Sequence, residues 1–121
     1  MTQEDKELLL KDLCARLPYG VKCRYQHIQY VENGKIIDIN MFGIVNVDGH
    51  IKDICDIKPY LFPMSSMTEE QEEEYNDLNC YELGCFPHTE EALDYLIKNH
   101  FDYRGLIEKG LAIDATNLNI Y

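Results

Sequence analysis

Leu9, Leu10, Leu13 and Leu17 recur at helical spacing in the first segment of the chain, separated by Lys, Asp and other polar residues. That period predicts an amphipathic helix from about Gln3 to Leu17. Thr2 is placed to cap it, Glu4 and Asp5 suit the positive end of its dipole, and Pro18-Tyr19-Gly20 stops it. Beyond Gly20 the period shortens to the alternation of a half-buried strand. Val21, Cys23 and Tyr25 alternate with Lys22, Arg24 and Gln26. The phase slips at Ile28 and Tyr30, which calls for a bulge near Gln26–His27. Asn33-Gly34 reads as a hairpin turn. The next strand places Ile37, Ile39, Met41, Val45 and Val47 on one face and Asp38, Asn40 and Asn46 on the other. Asp48-Gly49 is a second hairpin turn, and Ile51 to Ile57 a third strand. Residues 21–57 therefore read as an antiparallel meander.

The second half reads differently. Lys58-Pro59-Tyr60-Leu61-Phe62-Pro63 is a bent, extended connection. Thr68-Glu69-Glu70-Gln71 is a capping box that opens a short helix to about Leu78. A loop from Asn79 to Pro87 follows, and Thr89-Glu90-Glu91 opens another helix with Leu93, Leu96 and Ile97 on its core face. A helical turn at Leu106–Lys109 ends at Gly110, and Leu111-Ala112-Ile113 suits a final edge strand. Leu9, Leu13, Leu17, Ile39, Met41, Val45, Leu93, Leu96 and Ile97 are the expected core. The fold class implied is α+β: one domain over residues 1–121, with an N-terminal helix and two later helices on a small, bent antiparallel sheet. An SH3-like or half-barrel closure is one arrangement that such short strands allow.

Charge changes the picture in one place. The formal net charge is −11. Ten Asp and Glu, and no Lys or Arg, fall within residues 59–97, so that block carries nearly all of it. An acidic chain without a basic stripe lacks the footprint of a duplex-binding protein, so no direct nucleic-acid binding is expected. It equally lacks the attraction to an anionic membrane, and no apolar run reaches the length of a membrane helix. Five cysteines, an odd number, with no leader pattern at the start point to free thiols in the cytoplasm.

Few residues carry recognisable chemistry. Cys80, Cys85 and His88 form the only ligand-like cluster, with Cys55 or His100 as a candidate fourth ligand. Soft thiolates and an imidazole suit zinc, but structural zinc sites show paired short spacings that this chain lacks. The plainer reading is buried cysteines under a loop, and no metal or other cofactor is expected. Nothing marks a nucleophile elbow or a Cys-His-Asp signature, so no catalytic residue is assigned. The acidic run that includes Glu70, Glu73 and Glu74 has two readings. One is a decoy for a protein that binds nucleic-acid phosphates; the other is a solvated helix whose first-turn acids favour the dipole. The apolar strip containing Tyr60 and Phe62 is a docking strip or, more simply, the closure of a sheet edge. Arg104 is a substrate-binding candidate or the partner of a nearby acid.

Three stretches also carry a resemblance. They are Leu8–Lys22 (LLLKDLCARLPYGVK), Ile57–Glu70 (IKPYLFPMSSMTEE) and Asn99–Ala112 (NHFDYRGLIEKGLA). Together they resemble a group of small proteins that recur in gut Bacteroidetes genomes and their phages and prophages. The resemblance runs nearly end to end, with the weakest match from Glu32 to Ile54. It implies a mobile-element setting and no particular chemistry. The expected function is a non-enzymatic protein-interaction or regulatory module acting on a protein partner. The alternatives are an acidic nucleic-acid mimic that inhibits a host-defence or nucleic-acid-binding protein, and a small Cys/His metal protein or enzyme.

Overall fold

The computed structural model describes residues 1–26, 30–78 and 90–121. The first helix, α1, spans Gln3–Arg16. Its start is fixed by Thr2, whose hydroxyl accepts the Asp5 N–H at 3.1 Å. Leu9 and Leu13 are fully buried, and Leu10 and Leu17 are half-buried. A 3-10 turn over Leu17–Tyr19 follows, and Gly20 closes it at φ 72°, a left-handed conformation that glycine adopts without strain.

Strands β1 (Lys22–Gln26), β2 (Val31–Ile39), β3 (Ile44–Val47) and β4 (His50–Asp53) pair consecutively and antiparallel, as the meander pattern requires. The Asp48-Gly49 turn forms as expected. Val47 faces His50 across it, and Asp48 and Gly49 both have positive φ (51° and 95°), the signature of a tight two-residue hairpin.

Asn33-Gly34 is not a turn. Both residues lie inside β2, where Gly34 pairs with Cys23. The reason is crowding on the buried face: a Cβ at Gly34 would stand 2.7 Å from Val47 Cγ1 and 3.1 Å from the Tyr25 ring. Glycine is here for close approach and not for its turn geometry. Gln26 pairs with Val31; residues 27–29, and with them the His27 side of the bulge expected there, lie outside the described residues. An irregularity in register is found instead within β2, between Ile36 and Asp38. Ile36 accordingly takes the buried place, and Ile37 is exposed.

The long strand expected from Ile37 to Val47 is two strands. Asn40 breaks it: its Oδ1 accepts the N–H groups of Phe42 and Ile44 at 2.9 and 3.0 Å, and Gly43 turns at φ 81°. An asparagine side chain that captures nearby backbone donors in this way initiates a turn. Met41 therefore leaves the core and is 80% exposed, with Phe42 beside it at 74%.

The segment read as a bent connection is the central strand. β5 spans Ile57–Pro63. It pairs antiparallel with β1 on one side, and parallel with β6 (Phe101–Asp102) and β7 (Ile113–Asp114) on the other. Pro59 is tolerated there because β7 and β6 pair only with Tyr60 to Pro63, which leaves Pro59 a ladder partner on the β1 side alone. The strand expected from Ile51 to Ile57 is interrupted by a 3-10 turn over Ile54–Asp56, capped by the Asp53 carboxylate, which accepts the Cys55 N–H at 2.9 Å. The order β4-β3-β2-β1-β5-β6, with β7 also on β5, makes a mixed sheet and not a purely antiparallel one. It is open, with β4 at one end, and does not close into a barrel.

Helix α2 spans Glu69–Leu78 and α3 spans Glu90–Lys98. The capping box is present in both directions: Thr68 N–H donates to Gln71 Oε1 at 2.9 Å, and Gln71 N–H donates to Thr68 Oγ1 at 3.2 Å. Leu96 and Ile97 of α3 are buried, while Leu93 is half-buried and Ala92 takes a buried place. The main core lies between α1 and the sheet, built on Leu9, Leu13, Val21, Ile36, Val45 and Leu61. The architecture is α+β.

Candidate functional site

Among the described residues, two features gather the polar chemistry. The first is a buried charge network beneath α1. Asp12 and Arg16 are one helical turn apart on the buried face, both fully enclosed at 0% exposure. Arg16 Nε donates to Asp12 Oδ2 at 2.7 Å, and Arg104 Nε donates to Asp12 Oδ1 at 3.1 Å. Arg16 Nη2 donates to the carbonyl oxygen of Phe101. Both guanidinium groups lie over the Tyr103 ring, 5.6 Å (Arg16) and 4.7 Å (Arg104) from its centroid. One carboxylate thus holds two arginines and ties α1 to the segment after α3. Arg104 is the partner of an acid, and the network is a structural clamp.

Asp102 extends the clamp. Its two carboxylate oxygens accept the N–H groups of Leu106 and Ile107, each at 2.9 Å, and so fix the turn that ends at Gly110.

The second feature is a cleft. It is bounded by the end of β5 at Phe62, Ser66 before α2, Gln71 in α2, the end of α3 at Lys98 and the two residues after it, and the tail at Thr116, Asn117 and Tyr121. His100 is its centre. It follows α3 at φ 64°, a left-handed position that most residues avoid. Its carbonyl oxygen accepts the Phe62 N–H at 2.8 Å, so the same residue ends a helix and begins the β5–β6 pairing. Its ring stacks on Tyr121 with centroids 3.8 Å apart and an interplanar angle of 11°. Tyr121 is anchored in turn: its hydroxyl donates to the Tyr60 carbonyl oxygen at 2.8 Å and accepts the Lys22 N–H at 2.9 Å.

His100 is 9% exposed, and its Nδ1 is buried without a hydrogen-bond partner. Burial, and then the positive charges of Arg16 and Lys22, push its pKa down from 6.5 to about 4. The ring is neutral near pH 7. In the unfolded chain the same group takes its proton near 6.5, so the unfolded state binds more protons below that pH. The stability it contributes is complete above pH 6.5 and is lost as pH falls toward 4. The expected loss is roughly 2 kcal/mol, after allowance for the solvent that reaches the cleft side of the ring. Urea unfolding at several pH values checks this. Carboxylates titrate in the same window, so the comparison is with His100→Asn, which accepts a positive φ and does not titrate. The variant should show a flatter decline; an identical decline removes His100 as the cause.

The residues singled out in the sequence scatter. Tyr60 is 5% exposed and its hydroxyl donates to Asn33 Oδ1; it is part of the sheet and offers no docking surface. Phe62 is half-buried and lines the cleft. Glu70, Glu73 and Glu74 are on α2, where Glu70, Glu73 and Glu74 all face solvent. Glu74 also reaches α3: burial, and then a hydrogen bond to the Glu74 carboxylate, push the Tyr95 phenol up. Cys80, Cys85 and His88 lie outside the described residues. Of the proposed fourth ligands, Cys55 is exposed and His100 is enclosed in its stack. Among the described residues, no group of three or more His, Cys, Asp and Glu is placed to hold a metal ion. No helix among them is long and apolar enough to cross a membrane.

No sequence pattern joins Asp12, Arg16 and His100 as a unit. The one available signal is an Asp and an Arg four apart on the same side of α1 as Leu9 and Leu13, where charge is out of place. Comparison with protein families, with curated proteins and with solved structures finds no match to this chain. The geometry alone carries the reading of the site.

Proposed function

We propose that the protein is a non-enzymatic interaction module of a phage or mobile element, which grips a protein partner through the turn between β2 and β3. One observation carries this reading. Met41 and Phe42 stand side by side at that turn, both largely exposed. They line a groove of about 310 Å³ against Gln3, Lys6, Glu7 and Leu10 of α1. Two large adjacent apolar side chains offered to solvent beside a groove are the form of an interface core with a polar rim. Ile51, on β4 at the end of the strand order, is exposed as well, and an end strand is where strand addition is favoured. The mobile-element setting rests on the resemblance of the three sequence segments.

The test is capture of the partner from the natural host, with bound protein and nucleic acid both identified. Met41→Asp together with Phe42→Asp should abolish capture while leaving the melting temperature nearly unchanged, because neither side chain belongs to the core. Capture by wild type should persist in high salt, since apolar contacts are not screened. Retention of the partner by the double variant would remove the turn from the interface.

Acidic mimicry is the second reading, favoured by the exposed carboxylates of α2 with no Lys or Arg from residue 59 to 97. Changing Glu70, Glu73 and Glu74 together to Gln separates the two. The fold should survive, since exposed carboxylates crowded on one helix repel one another, and the amide introduced at position 74 still offers an acceptor to Tyr95. Capture should survive as well. Its collapse in a folded triple variant, with steep salt sensitivity in the wild type, would bring mimicry forward.

A further inference from the structure

We propose that the cleft centred on His100 and Tyr121 binds a small aromatic carboxylate. The cavity measures about 420 Å³, within the range of small-molecule sites. Its wall combines the rings of Phe62, His100, Phe101 and Tyr121 with amide and hydroxyl groups and the ammonium of Lys98. No Asp or Glu side chain is among the described residues that line it, in a chain with 22 Asp and Glu. Excluding acidic side chains from one wall of so acidic a protein favours an anion there.

Lys98 and Gln71 supply donors, while Ser66 and Asn99 spend theirs on the carbonyl oxygens of Pro63 and Tyr95. Gln71 spends its Oε1 on the capping box, so its NH₂ is the half that the box leaves over. The Nδ1 of His100 is enclosed, so Nε2 is the only ring nitrogen the imidazole can offer the cleft. Thr116 and Asn117 add a hydroxyl and an amide. One cation with neutral donors suits a single negative charge; a dianionic phosphate would meet more of the repulsion from a net charge of −11. The aromatic walls select a planar ring on the ligand.

His100 itself points the same way. A left-handed position after a helix is served at lower cost by Gly or Asn. Here it holds a largely buried histidine, with one ring nitrogen lacking a partner. Strain and an unsatisfied polar atom thus meet on one residue of the cleft wall.

The experiment is titration of the intact chain with 2-naphthoate and, as the uncharged isostere, 2-naphthamide, followed by amide NMR shifts and calorimetry. Naphthoate should shift the resonances of residues 98–101, Thr116, Asn117 and Tyr121, and should bind at least about tenfold more tightly than the amide, the usual advantage of a charge-assisted contact. Lys98→Gln, at an exposed position, should weaken naphthoate about fivefold or more and leave naphthamide unchanged. His100→Asn should weaken naphthoate with the far-UV spectrum intact. Equal affinity for the two probes, shifts confined to other surfaces, no saturation at several millimolar, or full affinity in folded Lys98→Gln would each overturn the proposal. None of these outcomes bears on Met41 and Phe42, so the interaction reading stands or falls separately.

Discussion

Asp12→Ala should destabilise the protein by about 3–5 kcal/mol, the largest effect expected of any single polar substitution in the chain. The carboxylate is fully enclosed and holds Arg16 at 2.7 Å and Arg104 at 3.1 Å. Its removal leaves Arg16 with no opposing charge in a site from which water is excluded. Arg104 is partly exposed and turns toward solvent; Arg16 cannot. The loss exceeds the favourable contribution of the pair itself, because the remaining guanidinium has no route to hydration. Urea unfolding of the variant measures it. The matching double variant Asp12→Leu with Arg16→Met replaces the pair by apolar groups of similar bulk and should recover most of the loss. A cost below about 1 kcal/mol for Asp12→Ala would show that the network is hydrated and not a clamp.

Leu13→Ala should cost about 2–5 kcal/mol. Leu13 is fully buried in the main core between α1 and the sheet. Deleting its branched end leaves a cavity that the rigid strands beneath cannot close, so the upper half of the range is expected. Leu10→Ala, nearly one turn away and only half-buried, is the internal control and should cost less than half as much. Chemical denaturation of both variants decides it, and equal costs would mean that the packing face of α1 is assigned wrongly.

The elements that were legible share one property: neighbours in sequence are enough to define them. The Thr2 cap, the capping box of Thr68 and Gln71, the Asp48-Gly49 hairpin and the stripe of Leu9 and Leu13 all depend on residues within a turn or two of each other. Their donors, acceptors and periods are local, so reading along the chain recovers them. Asn33-Gly34 misled because the same dipeptide serves two purposes. Its glycine is placed for the approach of Val47 and Tyr25, residues distant in the chain, and no local pattern distinguishes that use from a turn. Met41 misled because alternation continues through Asn40, whose side chain breaks the strand by capturing two backbone donors.

The cleft was hidden for the same reason. His100, Phe62 and Tyr121 are far apart in sequence and meet only because β5 lies between β1 and the β6–β7 side of the sheet. Nothing local marks β5 as central either, since a segment with two prolines reads as a connection. Its place follows from which of its edges find partners, and that is settled when the parallel strands β6 and β7 arrive from the end of the chain.

By itself, then, the sequence determined the starts of α1 and α2, the Asp48-Gly49 hairpin, the α+β class and the concentration of negative charge on residues 59–97. Each follows from backbone hydrogen bonding, side-chain period or composition, which act over short separations. Only the tertiary structure decided the order of the strands, the burial of Asp12 and Arg16, the exposure of Met41 and Phe42, and the assembly of an aromatic-walled cleft around His100. Those outcomes depend on which distant segments exclude water from one another. That competition is settled across the whole chain, when burial of apolar area outweighs the entropy of bringing remote segments together.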